Sequence, residues 1–270
     1  MTDVAIDDRP IAPESALYNA VLTRRVDQTA SLAFFWVAYR GDPVDFQPGQ
    51  YLTIGVESNG KLIQRPYSVA SSPRQTADGY EFYVRLVNGG MFTPLLWRLE
   101  VGQGMSMKGP KGKFMLEPED ARTHVYISTG TGIAPFISMM ETTRIDGAPR
   151  PTVVLHGVSH ASDLGYRERL EGWQASGAYP NTYVPTVSRP TAPENAGWDG
   201  RVGRVESIVD DVYDKLGLTP DDALAYLCGN PDMNLAVEQT LLARGFPEPQ
   251  IRKELYWPKG KGPTGAPGAL

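Results

Sequence analysis

Ser128-Thr129-Gly130-Thr131-Gly132-Ile133-Ala134-Pro135 decides how this chain folds. The segment closes an apolar, β-rich run at 124–128 and opens a helical pattern at 133–143. Glycine removes the Cβ that would hold a phosphate at a distance, and a helix start offers unpaired N–H groups at a positive dipole end. Taken alone, the turn reads equally as a tight strand-to-helix connection, because it lacks the three-glycine spacing of the usual dinucleotide fingerprint. About sixty residues earlier stands Arg65-Pro66-Tyr67-Ser68, a cation, an aromatic face and a hydroxyl in one strand-like run. The order and separation of the two segments point to two nucleotides bound by one chain.

Downstream of the glycine turn the pattern repeats. Strands at 152–158, 182–187 and 223–228 alternate with helices near 164–174, 205–215 and 232–243, which predicts a parallel sheet with helices on both faces. Ligands of such sheets sit outside the carboxyl ends of the strands, here 128–132, 156–159, Ser188-Arg189 and 228–231. Upstream, short β-rich runs at 18–26, 31–39, 51–56, 66–70, 81–87 and 105–108 are separated by turn signals such as Gln47-Pro48-Gly49 and Asn59-Gly60. They predict a small antiparallel β-barrel or sandwich. Gly90-Met91-Phe92-Thr93 reads as a glycine-led entry into a short helix, with backbone donors free to hold phosphate. The acidic, proline-containing 117–121 marks the boundary. The resulting plan is an N-terminal arm (1–16), a barrel domain (17–120), an α/β domain (121–257) and a Gly/Pro-rich extension (258–270) that is disordered or draped over another surface.

Composition narrows the function. Hydrophobic residues at 41% and charged residues at 21% argue against both disorder and membrane spanning, and no apolar run approaches the ~18 residues of a membrane helix. The acidic start, 1–8, does not read as a secretory signal, so the expected location is the cytoplasm. A single cysteine, Cys228, excludes an internal disulfide and an iron–sulfur cluster held by four thiolates of this chain. His124, His156 and His160 show no metal-ligand spacing, so no metal is expected; His156 and His160 read as solvated loop residues. A net charge of −5 gives no footprint for nucleic acid. Lys108, Lys111 and Lys113 are a local exception, either a solvated hairpin tip or a patch for an acidic protein partner.

Two further segments carry candidate chemistry. Cys228-Gly229-Asn230-Pro231-Asp232-Met233 places a small polarisable thiol at a strand end and then starts a helix; by itself such a cysteine is a packing residue. Glu254-Leu255-Tyr256-Trp257 sets two aromatics beside a carboxylate. It reads as a terminal strand docking hydrophobically, or as a ring lid over a flat cofactor with an acid beside it.

These four segments, in this order, resemble the ferredoxin–NADP(+) reductase family over roughly 18–257. The resemblance implies an FAD-binding barrel followed by an NADP-binding domain, with hydride passing between nicotinamide C4 and flavin N5. For FAD it implies that Arg65, within Arg65-Pro66-Tyr67-Ser68, pairs with the pyrophosphate, that Tyr67 packs on the flavin and that Ser68 bonds near N5. Val84 and Arg85 would lie along the flavin and ribityl chain, Gly90, Met91, Phe92 and Thr93 would donate to the pyrophosphate, and Tyr256 or Trp257 would stack on the flavin. Thr131 would stand between the two nucleotides. For NADP it implies Gly130, Thr131 and Gly132 at the phosphates, Cys228 lining the nicotinamide pocket, Gly229 and Met233 among the NADP-binding residues, and Ser188 and Arg189 on the 2′-phosphate with Arg204 as a second cation.

The catalytic set so implied is Ser68, Cys228, Glu254 and Tyr256. None of them need act as a nucleophile, since the flavin carries the redox chemistry; Glu254 would tune or relay protons near N5, and Tyr256 would move aside as a gate. Guanidinium suits phosphate, and neither 188 nor 189 is acidic, so NADPH is expected over NADH. Plastid-type members end on the stacking tyrosine, whereas here Trp257 and a tail follow, as in bacterial-type members. The implied partner is ferredoxin or flavodoxin. The alternatives are the reductase component of an oxygenase, a free flavin reductase, or a binding flavoprotein without turnover; the joint presence of Ser68, Cys228, Glu254 and Tyr256 argues against the last.

Overall fold

A computed structural model describes residues 8–255. Tyr256, Trp257 and the extension 258–270, for which roles were expected, lie outside the described residues. The chain forms two compact units, Met1–Leu116 with Ala134–Thr142, and Glu117–Ile133 with Thr143–Leu270.

The first unit is built on β1 (Ala20–Thr29), β2 (Leu32–Tyr39), β3 (Tyr51–Ser58), β4 (Lys61–Ser68), β5 (Tyr80–Arg85), the short helix α1 (Thr93–Arg98) and β6 (Gly104–Lys111). The strands form an antiparallel sheet in the order β4-β3-β6-β1-β2-β5. Its two outer strands are joined by the segment after β4, where the Ala70 amide donates to the Glu81 carbonyl at 2.8 Å and the Glu81 amide donates to Ser71 Oγ at 3.1 Å. That closure leaves few unpaired edge groups, which is why a barrel of short strands is stable. Period-two alternation sends Leu22, Phe35, Val37, Leu52, Ile54, Phe82, Met105 and Met107 into one core, with Leu95 and Leu96 of α1 plugging it. The β3–β4 hairpin turns on Asn59 and Gly60 with φ of 51° and 71°, the left-handed pair that Asn-Gly supplies. The strand expected at 66–70 begins earlier, at Lys61, because this hairpin pairs β4 with β3 along its whole length.

The second unit contains β7 (Thr123–Thr129), β8 (Thr152–Val158), α3 (Arg167–Ser176), β9 (Asn181–Val187), the two-residue β10 (Arg201–Val202), α4 (Val209–Leu216), β11 (Ala223–Gly229), α5 (Pro231–Ala243) and β12 (Ile251–Leu255); α2 (Ala134–Ile145), which follows β7 in the chain, groups with the first unit over Ala134–Thr142. All strand pairs are parallel, in the order β10-β9-β8-β7-β11-β12. Both β8 and β11 are buried along their full length, as strands covered on both faces must be. Chain order runs outward from β7 in both directions, so the topological switch point lies between β7 and β11. Among the described residues no helix is long and apolar enough to cross a membrane.

Three helices start later than their periodicity suggests. Turns of 3-10 helix at Gly130–Ile133, Ala161–Asp163 and Val205–Ile208 precede α2, α3 and α4. The glycine turn is therefore a tightened 3-10 turn, with the α-helix beginning at Ala134. A second correction concerns His156. It is no loop residue but a fully buried member of β8, and burial lowers its pKa to about 4.

Candidate active site

In the first unit, Arg65-Pro66-Tyr67-Ser68 forms the end of β4. The Tyr67 ring is half-buried against the barrel core, its centroid 5.9 Å from that of Phe92, and burial raises its hydroxyl pKa well above the ordinary tyrosine value. That contact brings the Arg65 segment and the Gly90–Thr93 turn together, although they are far apart in sequence. Arg65 itself is exposed, with Nη1 donating to the Gln64 carbonyl at 2.7 Å. Arg85 is half-buried at the end of β5.

Several side chains expected to face the cofactor are otherwise engaged. Thr93 Oγ1 accepts from the Val87 amide at 2.9 Å and donates to the Val87 carbonyl at 3.4 Å, so its hydroxyl braces the turn. Phe92 and Val84 are core residues and leave only their backbone available. Gly90 is required by space, since a Cβ there would stand 2.8 Å from the Val87 carbonyl oxygen. Beside the turn lies a cavity of about 500 Å³ whose lining includes Arg9, Lys61, Arg65 and Met91. Cations beside apolar surface and a bare backbone turn fit a dinucleotide carrying a pyrophosphate.

In the second unit the candidate residues gather at the switch point. A Cβ on Gly132 would lie 2.2 Å from the Cys228 carbonyl oxygen, and one on Gly229, whose φ is +140°, would lie 2.3 Å from Thr129 Oγ1. The Asn230 amide donates to that same Thr129 Oγ1 at 2.9 Å. The ends of β7 and β11 thus approach so closely that only glycine fits between them. Thr131 is half-buried within the same turn. Across the sheet Glu254, Cys228, Ser128 and His156 are successive register partners, which places Cys228 and Glu254 side by side.

Cys228 is fully buried and Glu254 half-buried. Burial raises the Glu254 pKa above the ordinary carboxylate value, and Asn234 Nδ2 fixes its backbone by donating to its carbonyl at 2.9 Å. A carboxyl held this way keeps its proton to higher pH, the property a proton relay needs. Behind this row, His156 Nε2 lies 2.9 Å from the Gly130 carbonyl and Nδ1 lies 3.2 Å from the Tyr183 hydroxyl. A carbonyl only accepts, so Nε2 carries the proton and Nδ1 accepts from Tyr183. The histidine pins the nucleotide turn from behind.

Met233 is a correction. Its side chain, expected among the NADP-binding residues, lies instead with Val237 and Leu241 in the core, one face of α5 at a spacing of four.

Ser188 and Arg189 are exposed just beyond β9. The following turn returns to β9, with the Gly203 amide donating to the Val187 carbonyl and Thr186 Oγ1 to the Gly203 carbonyl, both at 2.8 Å. That brings Arg204 to the same end of the sheet, where it is exposed and 3.9 Å from Glu206. Asn195, unmarked by any sequence signal, holds this corner. Its Nδ2 donates to the carbonyls of Arg189 at 2.8 Å and Ser159 at 2.9 Å, and its Oδ1 accepts from the Ala161 amide at 2.7 Å. Serine, two guanidiniums and a braced loop fit the phosphomonoester of a nucleotide.

Comparison with known proteins agrees with both halves. The oxidoreductase FAD-binding domain family matches residues 21–116 and the oxidoreductase NAD-binding domain family matches residues 126–239. The ferredoxin–NADP reductase B of Sorangium cellulosum is 32% identical over 78% of this chain and 85% of its own length. The toluate 1,2-dioxygenase electron transfer component of Pseudomonas putida is also 32% identical, over 74% of this chain, but the match spans only 56% of that protein. The crystal structure of a ferredoxin NADP+ reductase from Neisseria gonorrhoeae with bound FAD and NADP superposes with a TM-score of 0.77 at 26% identity, covering 90% of this chain and all of that one.

Proposed function

The chain belongs to the ferredoxin–NADP(+) reductase family of FAD- and NAD(P)-binding oxidoreductases, and from that premise we propose that it passes reducing equivalents between NADPH and a ferredoxin or flavodoxin. The observation that carries the choice of NADPH is the corner beyond β9, where Ser188, Arg189 and Arg204 share one end of the sheet under the brace of Asn195. The match to nearly the whole length of a ferredoxin–NADP reductase supports the carrier.

When bound, FAD supplies the exchange between two-electron and one-electron transfer. Arg65 and the backbone of Gly90 and Met91 hold its pyrophosphate, Tyr67 packs against its ring system and Ser68 hydrogen-bonds near N5. Gly130, Thr131 and Gly132 accept the NADPH phosphates, and Cys228 and Gly229 shape the nicotinamide pocket. Glu254 holds a proton near the reacting atoms. Lys108 and Lys111, exposed on β6, and the exposed Lys113 steer an acidic carrier, an attraction that weakens with salt.

The test is anaerobic stopped-flow mixing with NADPH and, separately, NADH while following flavin absorbance. Fast bleaching by NADPH alone is expected, and Arg189→Ala should lower the NADPH/NADH ratio of kcat/KM at least tenfold. An unchanged ratio would remove Arg189 from the phosphate site. The similarity to the toluate dioxygenase component supports a second reading as an oxygenase reductase; equal or faster bleaching by NADH would favour it.

A further inference from the structure

Met91 is the most exposed of the described methionines. It is 55% exposed, whereas Met105, Met107, Met139, Met140 and Met233 are buried and Met115 is half-buried. Its thioether is also engaged. Arg9 Nη1 donates to Met91 Sδ at 3.8 Å, and Arg9 Nη2 donates to the Gly90 carbonyl at 3.3 Å. One guanidinium therefore spans the side chain of residue 91 and the peptide group that leads into it.

Arg9 reaches this place on a strap bound along β3. Its own carbonyl accepts from Arg98 Nη1 at 2.6 Å, Ile11 bridges to Ser58, and the Ala12 amide donates to the Glu57 carbonyl at 2.9 Å. The Gly90 carbonyl and the Met91 amide are the two sides of one planar peptide. By holding the carbonyl, Arg9 sets the direction of the N–H assigned above to the flavin pyrophosphate. At 3.3 Å that bond is long, so a better acceptor beside the same guanidinium competes with it. A thioether sulfur is a weak acceptor; a sulfoxide oxygen is a strong one.

We propose that Met91 is a reversible oxidation site, and that its sulfoxide draws Arg9 off the Gly90 carbonyl and loosens the flavin turn. The oxidant is hydrogen peroxide. A sulfur lone pair takes one peroxide oxygen, the S–O bond forms as the O–O bond breaks, the sulfur loses two electrons, and the peroxide leaves as water. The side chain becomes polar, and its new oxygen comes within hydrogen-bond reach of Nη1. Two thiols acting through a methionine sulfoxide reductase return the thioether, releasing water and a disulfide. Exposure on the surface admits both the oxidant and the reductase. The loss of flavin binding rests on the FAD reading of this unit, while the oxidation site does not.

In the experiment the flavin-loaded full chain is treated with hydrogen peroxide and mapped by peptide mass spectrometry. Flavin is then removed and FAD titrated back by fluorescence quenching, for the unsubstituted protein, Met91→Leu and Arg9→Ala. Met91 should gain one oxygen before the six other described methionines do. The FAD Kd of the unsubstituted chain should rise about fivefold, the net effect of one hydrogen bond, and return after incubation with the reductase and dithiothreitol. Met91→Leu cannot form the sulfoxide, and Arg9→Ala forms it without a guanidinium to lose, so each should show treated and untreated Kd values within twofold of one another. Oxidation of Met91 no faster than that of Met115 would overturn the proposal. So would an unchanged Kd once Met91 is fully oxidised, or a full peroxide effect in either variant. An untreated chain that binds no FAD would overturn the FAD reading and the flavin consequence with it, and the mass map would still decide the oxidation site.

Discussion

Acid should weaken the second unit through its buried histidines before the Asp120 ion pair matters. His156 and His124 are fully buried and burial holds both pKa values down to about 4, against 6.5 for the free side chain. The hydrogen bond to the Gly130 carbonyl partly offsets that depression at His156, and Arg150 adds to it at His124. Because the folded pKa lies below the unfolded one, the unfolded chain takes up protons first. Stability is full above pH 6.5, declines as pH falls and levels off below about 4. At 1.36 kcal/mol per pH unit the complete loss is roughly 3 kcal/mol for each histidine, and at pH 5 it is roughly 2 kcal/mol each. Set against a typical total of about 5–15 kcal/mol, this is a large fraction. Asp120, which its hydrogen bond from Arg122 holds at about 2, loses its contribution only below pH 4 and stays outside this window. The assay is urea unfolding between pH 7.5 and 4.5 for the unsubstituted chain and for His156→Gln. The glutamine amide can still donate to the Gly130 carbonyl but does not titrate. The variant should lose about 2 kcal/mol less between pH 7 and 5. An identical pH dependence in the two proteins would refute the reasoning.

Further expectations follow from the same geometry. Gly132→Ala forces a Cβ against the Cys228 carbonyl, so it should destabilise the protein by about 1–3 kcal/mol and raise the NADPH Kd more than tenfold by titration. Gly130→Ala meets no neighbouring atom and only strains a φ of +51°; unfolding measurements should give about 1 kcal/mol. Asn195→Ala leaves the loops carrying Ser159 and Arg189 unbraced and should raise KM for NADPH several-fold with kcat nearly unchanged, while a fall in kcat alone would count against a positioning role. Glu254→Gln removes a carboxyl whose pKa burial raises; it should abolish the acidic limb of the kcat profile, and a limb of unchanged position would exclude the relay.

The sheet architecture was legible because its signals are local. Glycine and proline punctuate the short strands of the first unit, and the change from period two to alternating βα segments marks the second. Helix onsets were not legible. A turn of 3-10 helix continues the same apolar periodicity, so nothing in 205–208 separates it from the α-helix that follows. Met233 was misread because position after a glycine turn suggested proximity to ligand, whereas its alignment with Val237 and Leu241 commits it to the core. His156 was misread because one polar residue in an apolar strand gives no sign of its partner. That partner, the Gly130 carbonyl, lies on a different strand end.

The same distinction runs through the site. Gly132 and Gly229 could be picked out because the glycine itself marks a place where a Cβ has no room, although the atoms that crowd them, the Cys228 carbonyl and Thr129 Oγ1, come from the other strand end. His156, Asn195 and Thr129 act differently, each bonding the backbone of another segment: the Gly130 carbonyl, the Arg189 and Ser159 carbonyls, and the Asn230 amide. Such a bond depends on which strands lie side by side, and here the ends of β7 and β11, about a hundred residues apart in the chain, meet only because the strand order reverses between them. Residues that contact phosphate leave a motif, because the ligand requires the same local shape wherever it binds. Residues that hold those contacts in place leave none. The arm carrying Arg9 is the extreme case, since nothing in 8–19 resembles a binding segment until β3 pairs with it and sets the guanidinium against Gly90.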